Sequence, residues 1–133
     1  MLRIENQNNE IFVILIKPSD WSKGLDFITA DDKYLQVGTW WYDEGKTLDR
    51  HHHNKVDRSS DLTQECVTIM HGSMLVKIYD DDKSFLSEFI MEQGDFAVFL
   101  GGGHEYTILE NDTRIIETKN GPFLGVEIDK TRF

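Results

Sequence analysis

Turn-forming residues interrupt this chain at such short intervals that only short extended segments fit between them. The interruptions are Pro18-Ser19-Asp20, Asp43-Glu44-Gly45, His71-Gly72-Ser73, residues 80–83, Gln93-Gly94-Asp95, residues 101–103, Asn111-Asp112 and Asn120-Gly121-Pro122. Each supplies glycine, proline, asparagine, aspartate or serine, which give positive φ, a fixed φ or a local side-chain turn. Between them lie residues 11–16, 35–42, 65–70, 74–79, 84–91, 96–100, 105–109, 113–118 and 125–128, rich in β-branched and aromatic side chains. No segment carries a long helical period, and residues 19–25 have room for one turn only. Many short strands with Gly and Asp punctuation predict an all-β fold, a sandwich or a barrel.

At 133 residues the chain is large enough to bury one core and too small for two, so a single domain over residues 1–133 is expected. An apolar fraction of 39% with eight Phe, four Tyr and three Trp is that of a globular chain. The longest apolar run, residues 11–16, falls far short of a membrane span. No basic stretch leads into an apolar segment as in a secretory leader. The single cysteine, Cys66, rules out an internal disulfide framework and fits a reducing compartment, so a cytoplasmic protein is expected.

The formal charge of −10 argues against nucleic acid, whose phosphates demand a basic stripe, and against anionic membrane surfaces. Asp31-Asp32 and Asp80-Asp81-Asp82 read as solvated hairpin loops. A small molecule is the remaining expected partner.

Four residues are candidate metal ligands: His51, His53, Glu65 and His104. On a strand of period two, His51 and His53 share one face and His52 takes the other. By the same alternation Glu65 shares a face with Val67 and Ile69, while Cys66 faces away as a buried, inert thiol. A carboxylate on an apolar face is costly to bury unless something pairs with it, and a metal would do so. Imidazole nitrogens with one carboxylate suit a divalent transition metal, Zn, Fe, Mn or Ni. The three glycines before His104 permit a sharp bend that turns this side chain inward.

These residues follow a recognisable order. Gly45 precedes His51-His52-His53, Glu65 precedes Gly72 across one strand, and Gly94-Asp95-Phe96-Ala97-Val98-Phe99-Leu100-Gly101-Gly102-Gly103-His104 follows. In both stretches the chain resembles the cupin superfamily over about residues 35–118. The resemblance implies a double-stranded β-helix (jelly-roll) barrel, a metal held by His51, His53, Glu65 and His104, and a homodimer. Residues 54–64 separate His53 from Glu65, a longer spacing than the family pattern, so a loop is inserted at the barrel mouth. Leu100 stands where the second motif has proline, and Ile108 where it has asparagine. More narrowly, His51-x-His53-Asn54 with Arg58, Thr63-Gln64-Glu65, Gly102-Gly103-His104, Glu117-x-Lys119-x-Gly121-Pro122 and Asp129-Lys130-Thr131-Arg132-Phe133 resemble small single-domain cupins associated with bacterial polysaccharide and nucleotide-sugar biosynthesis.

The expected function is therefore a metal-binding enzyme acting on a sugar or nucleotide-sugar derivative by proton transfer, as in isomerisation or epimerisation. Dioxygen chemistry and a non-catalytic, ligand-sensing role are the alternatives, because one fold hosts many activities. Tyr106, two positions from His104, shares its face and is a candidate proton donor. Arg58, in the inserted loop, is a candidate anchor for a substrate phosphate or carboxylate. Trp40-Trp41-Tyr42 is expected to give core on one side and a dimer contact on the other.

Overall fold

Ile11-Phe12-Val13-Ile14-Leu15-Ile16 is apolar throughout because the strand it forms is covered on both faces. The computed structural model describes residues 1–133. Its ten strands are β1 (Leu2–Glu5), β2 (Ile11–Ile16), β3 (Gly24–Phe27), β4 (Gly38–Trp41), β5 (Glu65–His71), β6 (Ser73–Tyr79), β7 (Phe85–Glu92), β8 (Phe96–Phe99), β9 (Gly103–Ile108) and β10 (Arg114–Lys119). A 3-10 turn, Pro18–Asp20, and a one-turn helix, α1 (Val126–Asp129), complete the chain. All strand pairings are antiparallel. They form a five-stranded sheet in the order β1-β2-β8-β5-β10, a three-stranded sheet β7-β6-β9, and the β3-β4 hairpin. The protein is all-β. No helix is long and apolar enough to cross a membrane.

The main core lies between the two larger sheets. Val13, Leu15, Val67, Ile69, Ala97 and Phe99 project from the five-stranded sheet onto Met74, Val76, Ile78, Phe89 and Met91 of the three-stranded sheet. The alternate residues Ile14, Ile16, Phe96 and Val98 face the other way with Cys66, where Ile28, Leu35 and Val37 cover them. Each fully buried aliphatic side chain contributes about 1.5–3 kcal/mol. The alternation slips at Phe12: Ile4 pairs with Val13 and Glu5 with Ile11, so Phe12 is an unpaired bulge residue. It joins the inner cluster while Ile11 joins the outer one.

Most predicted strands form with ends shifted by a residue or two. Three differences have physical reasons. The segment 35–42 is a strand only over Gly38–Trp41, because Leu35 and Val37 are used as cover for the second cluster. Its partner β3 lies where one helical turn was expected, and that turn is instead Pro18–Asp20. Residues 125–128 are not a strand. Val126 and Ile128 alternate, but both are exposed with no neighbouring strand, and Asp129 and Lys130 N–H donate to the carbonyls of Gly125 and Val126 at 3.0 and 2.9 Å.

Candidate functional site

Glu65 opens β5 between Phe99 of β8 and Lys119 of β10. The chain entering it is held firmly. The side chain of Gln64 accepts from Leu35 N–H at 2.9 Å and donates to the Leu100 carbonyl at 3.3 Å. Asn120 accepts from Gln64 N–H at 2.7 Å and donates to the Leu62 carbonyl at 3.2 Å. Strand alternation then sends Glu65 inward with Val67 and Ile69, and it is 4% exposed.

A carboxylate so placed requires partners, and β9 supplies two. His104 Nε2 lies 3.0 Å from Glu65 Oε1, and the Tyr106 hydroxyl donates to the same oxygen at 3.1 Å. His104 and Tyr106 are two positions apart on one strand face, so their rings stack at 4.8 Å and 18°. Phe99 packs against both. Turn residues 101–103 make the approach possible: Gly102 has φ +72°, and a Cβ there would run into the Phe12 ring and lie 2.7 Å from the Tyr79 carbonyl oxygen.

Burial pushes the Glu65 carboxyl upward in pKa. The hydrogen bond and charge of His104, the Tyr106 hydroxyl and the nearby Lys130 outweigh this and hold it below its ordinary value. Burial, with the Glu65 charge beside it, pushes the Tyr106 phenol far up, so it stays protonated. An ionised carboxylate only accepts, which puts a proton on His104 Nε2 and leaves Nδ1 a lone pair in the neutral ring.

The trio lines an open cleft of about 1090 Å³. One wall is residues 60–63 and the 101–103 turn, and another is the C-terminal segment from Asn120 to Phe133. Beyond Asn120, that segment is docked at two further points. Asp129 accepts from the Thr63 hydroxyl at 3.0 Å and lies 3.8 Å from Lys119 Nζ. The Phe133 ring meets Tyr79 edge-on at 5.4 Å and occupies the space a side chain at Gly103 would need. Lys130, Thr131 and Arg132 run between these two points along the cleft.

Of the residues singled out in the sequence, Glu65, His104 and Tyr106 come together here. His51, His53 and Arg58 do not. They lie exposed on residues 42–64, which form no strand, so the period-two placement of the histidines does not apply. The His51 and His53 rings adjoin at 5.2 Å, and His51 Nδ1 sits 2.9 Å from the Asp49 carbonyl. Arg58 is not part of the cleft lining. No three His, Cys, Asp or Glu residues converge in a way that could hold a metal ion. Of the expected four ligands, His51 adjoins His53, and His104 adjoins Glu65. Cys66 faces away from Glu65, as alternation requires, and burial raises its thiol pKa.

Gln64, Asn120, Lys130, Arg132 and Phe133 gain their places from contacts between distant parts of the chain. In the sequence Gln64, Lys130, Arg132 and Phe133 stand only within stretches of family resemblance and Asn120 at an unspecified position of one, and none is marked as a site residue. Set against models of known families, curated proteins and solved structures, the chain matches none.

Proposed function

We propose that this chain is a cupin-type double-stranded β-helix, working in the cytoplasm as a homodimer, that moves a proton within a sugar or nucleotide-sugar derivative held in the cleft. The observation that carries the activity is the buried Glu65 paired with the half-buried His104, which opens onto a cleft able to take such a molecule. Support for the barrel comes from nested pairing: β5 with β10 and, inside it, β6 with β9, as in one long hairpin rolled up. Support for the dimer comes from the β3-β4 hairpin, whose Leu25, Phe27 and Trp40 share an exposed face that the adjoining Tyr42 ring extends.

In this proposal His104 is the base. Glu65 fixes its tautomer and orientation and stabilises the imidazolium that forms when Nδ1 takes a proton from a carbon next to a substrate carbonyl. Return of that proton to the neighbouring carbon, with the adjacent hydroxyl giving up its proton as it becomes the new carbonyl and the old carbonyl oxygen taking one, gives isomerisation; return to the first carbon after the planar intermediate has turned its other face to His104 gives epimerisation. Tyr106, kept protonated, donates to Glu65 at rest and toward the substrate oxygen on which charge develops. Sugars and nucleotide-sugars incubated in deuterium oxide test this by nuclear magnetic resonance. The parent is expected to exchange a carbon-bound proton of one of them, and His104→Gln or Glu65→Gln to slow exchange by about 10²–10⁴-fold. Unchanged exchange in both variants would remove the pair from the mechanism.

A divalent metal bound by His51, His53, Glu65 and His104 is the second reading, favoured by the adjoining His51 and His53 rings. It requires residues 42–64 to carry that pair to Glu65 and His104. Elemental analysis of the parent and of the His51→Ala/His53→Ala variant tests it, and equal metal content would exclude this ligand set.

A further inference from the structure

We infer that the C-terminal segment supplies the substrate's anion-recognition site, with Lys130 and Arg132 binding a phosphate or carboxylate carried by the sugar derivative. This rests on the proposed use of the cleft and specifies its substrate class. The cleft lining contains the carboxylates Asp61, Glu65, Glu105, Glu117 and Asp129 and the cations Lys83, Lys130 and Arg132, with His104. Most of the carboxylates are engaged. Glu65 is held by His104 and Tyr106, Glu105 accepts from the Tyr79 hydroxyl at 2.9 Å, and Glu117 and Asp129 lie 3.6 and 3.8 Å from Lys119. Asp61 alone has no such partner.

The cations are in the opposite condition. Lys83 lies over the Phe133 ring at 5.6 Å, but neither Lys130 nor Arg132 makes an ion pair or side-chain hydrogen bond. Both are fixed near the site because Asp129 and Phe133, on either side of them, are docked. Lys130 is close enough for its charge to act on Glu65. A lysine and an arginine with unused donors, beside a proton-transfer pair, match an anionic group through charge-assisted hydrogen bonds. Arg58, on the exposed segment outside the cleft, has no comparable placement.

Inorganic pyrophosphate and glucuronate, titrated separately into the full chain and followed by amide chemical shifts, distinguish phosphate from carboxylate recognition. At least one is expected to shift the amides of residues 101–106 and 130–133. The exposed double variant Lys130→Gln/Arg132→Gln should raise its dissociation constant at least about tenfold, and Arg58→Gln should leave it unchanged. Equal affinity of the double variant and the parent for both anions, or binding of neither by the parent, overturns the inference. If deuterium exchange depends on His104 while anion affinity ignores Lys130 and Arg132, the proton-transfer function stands and this assignment falls. If the parent exchanges no sugar proton yet binds an anion through these two residues, the assignment stands and the proton-transfer function falls.

Discussion

Gly102 and Tyr79 show how single residues set the geometry beside the site. Gly102 has φ +72° and passes close over the bulged Phe12 ring and the Tyr79 carbonyl. Gly102→Ala is expected to cost about 1–3 kcal/mol from overpacking and backbone strain, read as a lower urea midpoint. Tyr79 donates to Glu105, and that hydrogen bond, then burial and the charges of Glu105 and Glu88, raise its pKa above the ordinary 10.0. A folded value above the unfolded one means its contribution to stability is complete below about pH 10 and is lost as pH climbs through the raised value. Ultraviolet titration of the phenolates should show Tyr79 ionising late, and Glu105→Gln should return it toward its ordinary range. No change in the titration curve would separate Tyr79 from Glu105.

At the scale of elements, legibility followed how local the cause was. Glu65, Val67 and Ile69 were assigned to one face because alternation is a property of the strand itself, and they do face the core. His104 and Tyr106 followed from the same rule. His51 and His53 were given that rule too, but residues 42–64 have no strand partner, so nothing imposes a period there. β1, Leu2-Arg3-Ile4-Glu5, alternates as a strand should, but four residues are too short a run to mark one, and it becomes a strand only by pairing with β2. Val126 and Ile128 had the pattern of a strand without an edge to join. The join between residues 62–64 and the end of β10 depends on Asn120, which satisfies two backbone groups at once. Asn120→Ala is expected to cost about 1–3 kcal/mol and to speed hydrogen exchange at the Gln64 amide. Intact protection at Gln64 would show that other contacts hold this join.

The molecule as a whole presents an aromatic face without a partner: Leu25, Phe27 and Trp40 of the β3-β4 hairpin with the adjoining Tyr42, between 39% and 55% exposed. The opposite face of the hairpin carries the buried Thr39 and the exposed Trp41, so the Trp40-Trp41-Tyr42 run does not give the core contact expected of one of its sides. A second copy meeting this aromatic face should give twice the 15.5 kDa chain mass by light scattering at micromolar concentration. Phe27→Lys/Trp40→Lys should return the single mass, and a 15.5 kDa parent would contradict the dimer. The strand order of the large sheet also governs how the chain can emerge from a ribosome. β2 and β5 are neighbours of β8 on opposite sides, and β5 is completed only by β10. The apolar run Ile11–Ile16 must therefore wait, with one edge unpaired, until residues 96–99 have been synthesised. From the synthesis of Ile16 until that of Phe99 the nascent chain carries an open β-edge of its most hydrophobic sequence, the state in which strands pair with the wrong neighbour.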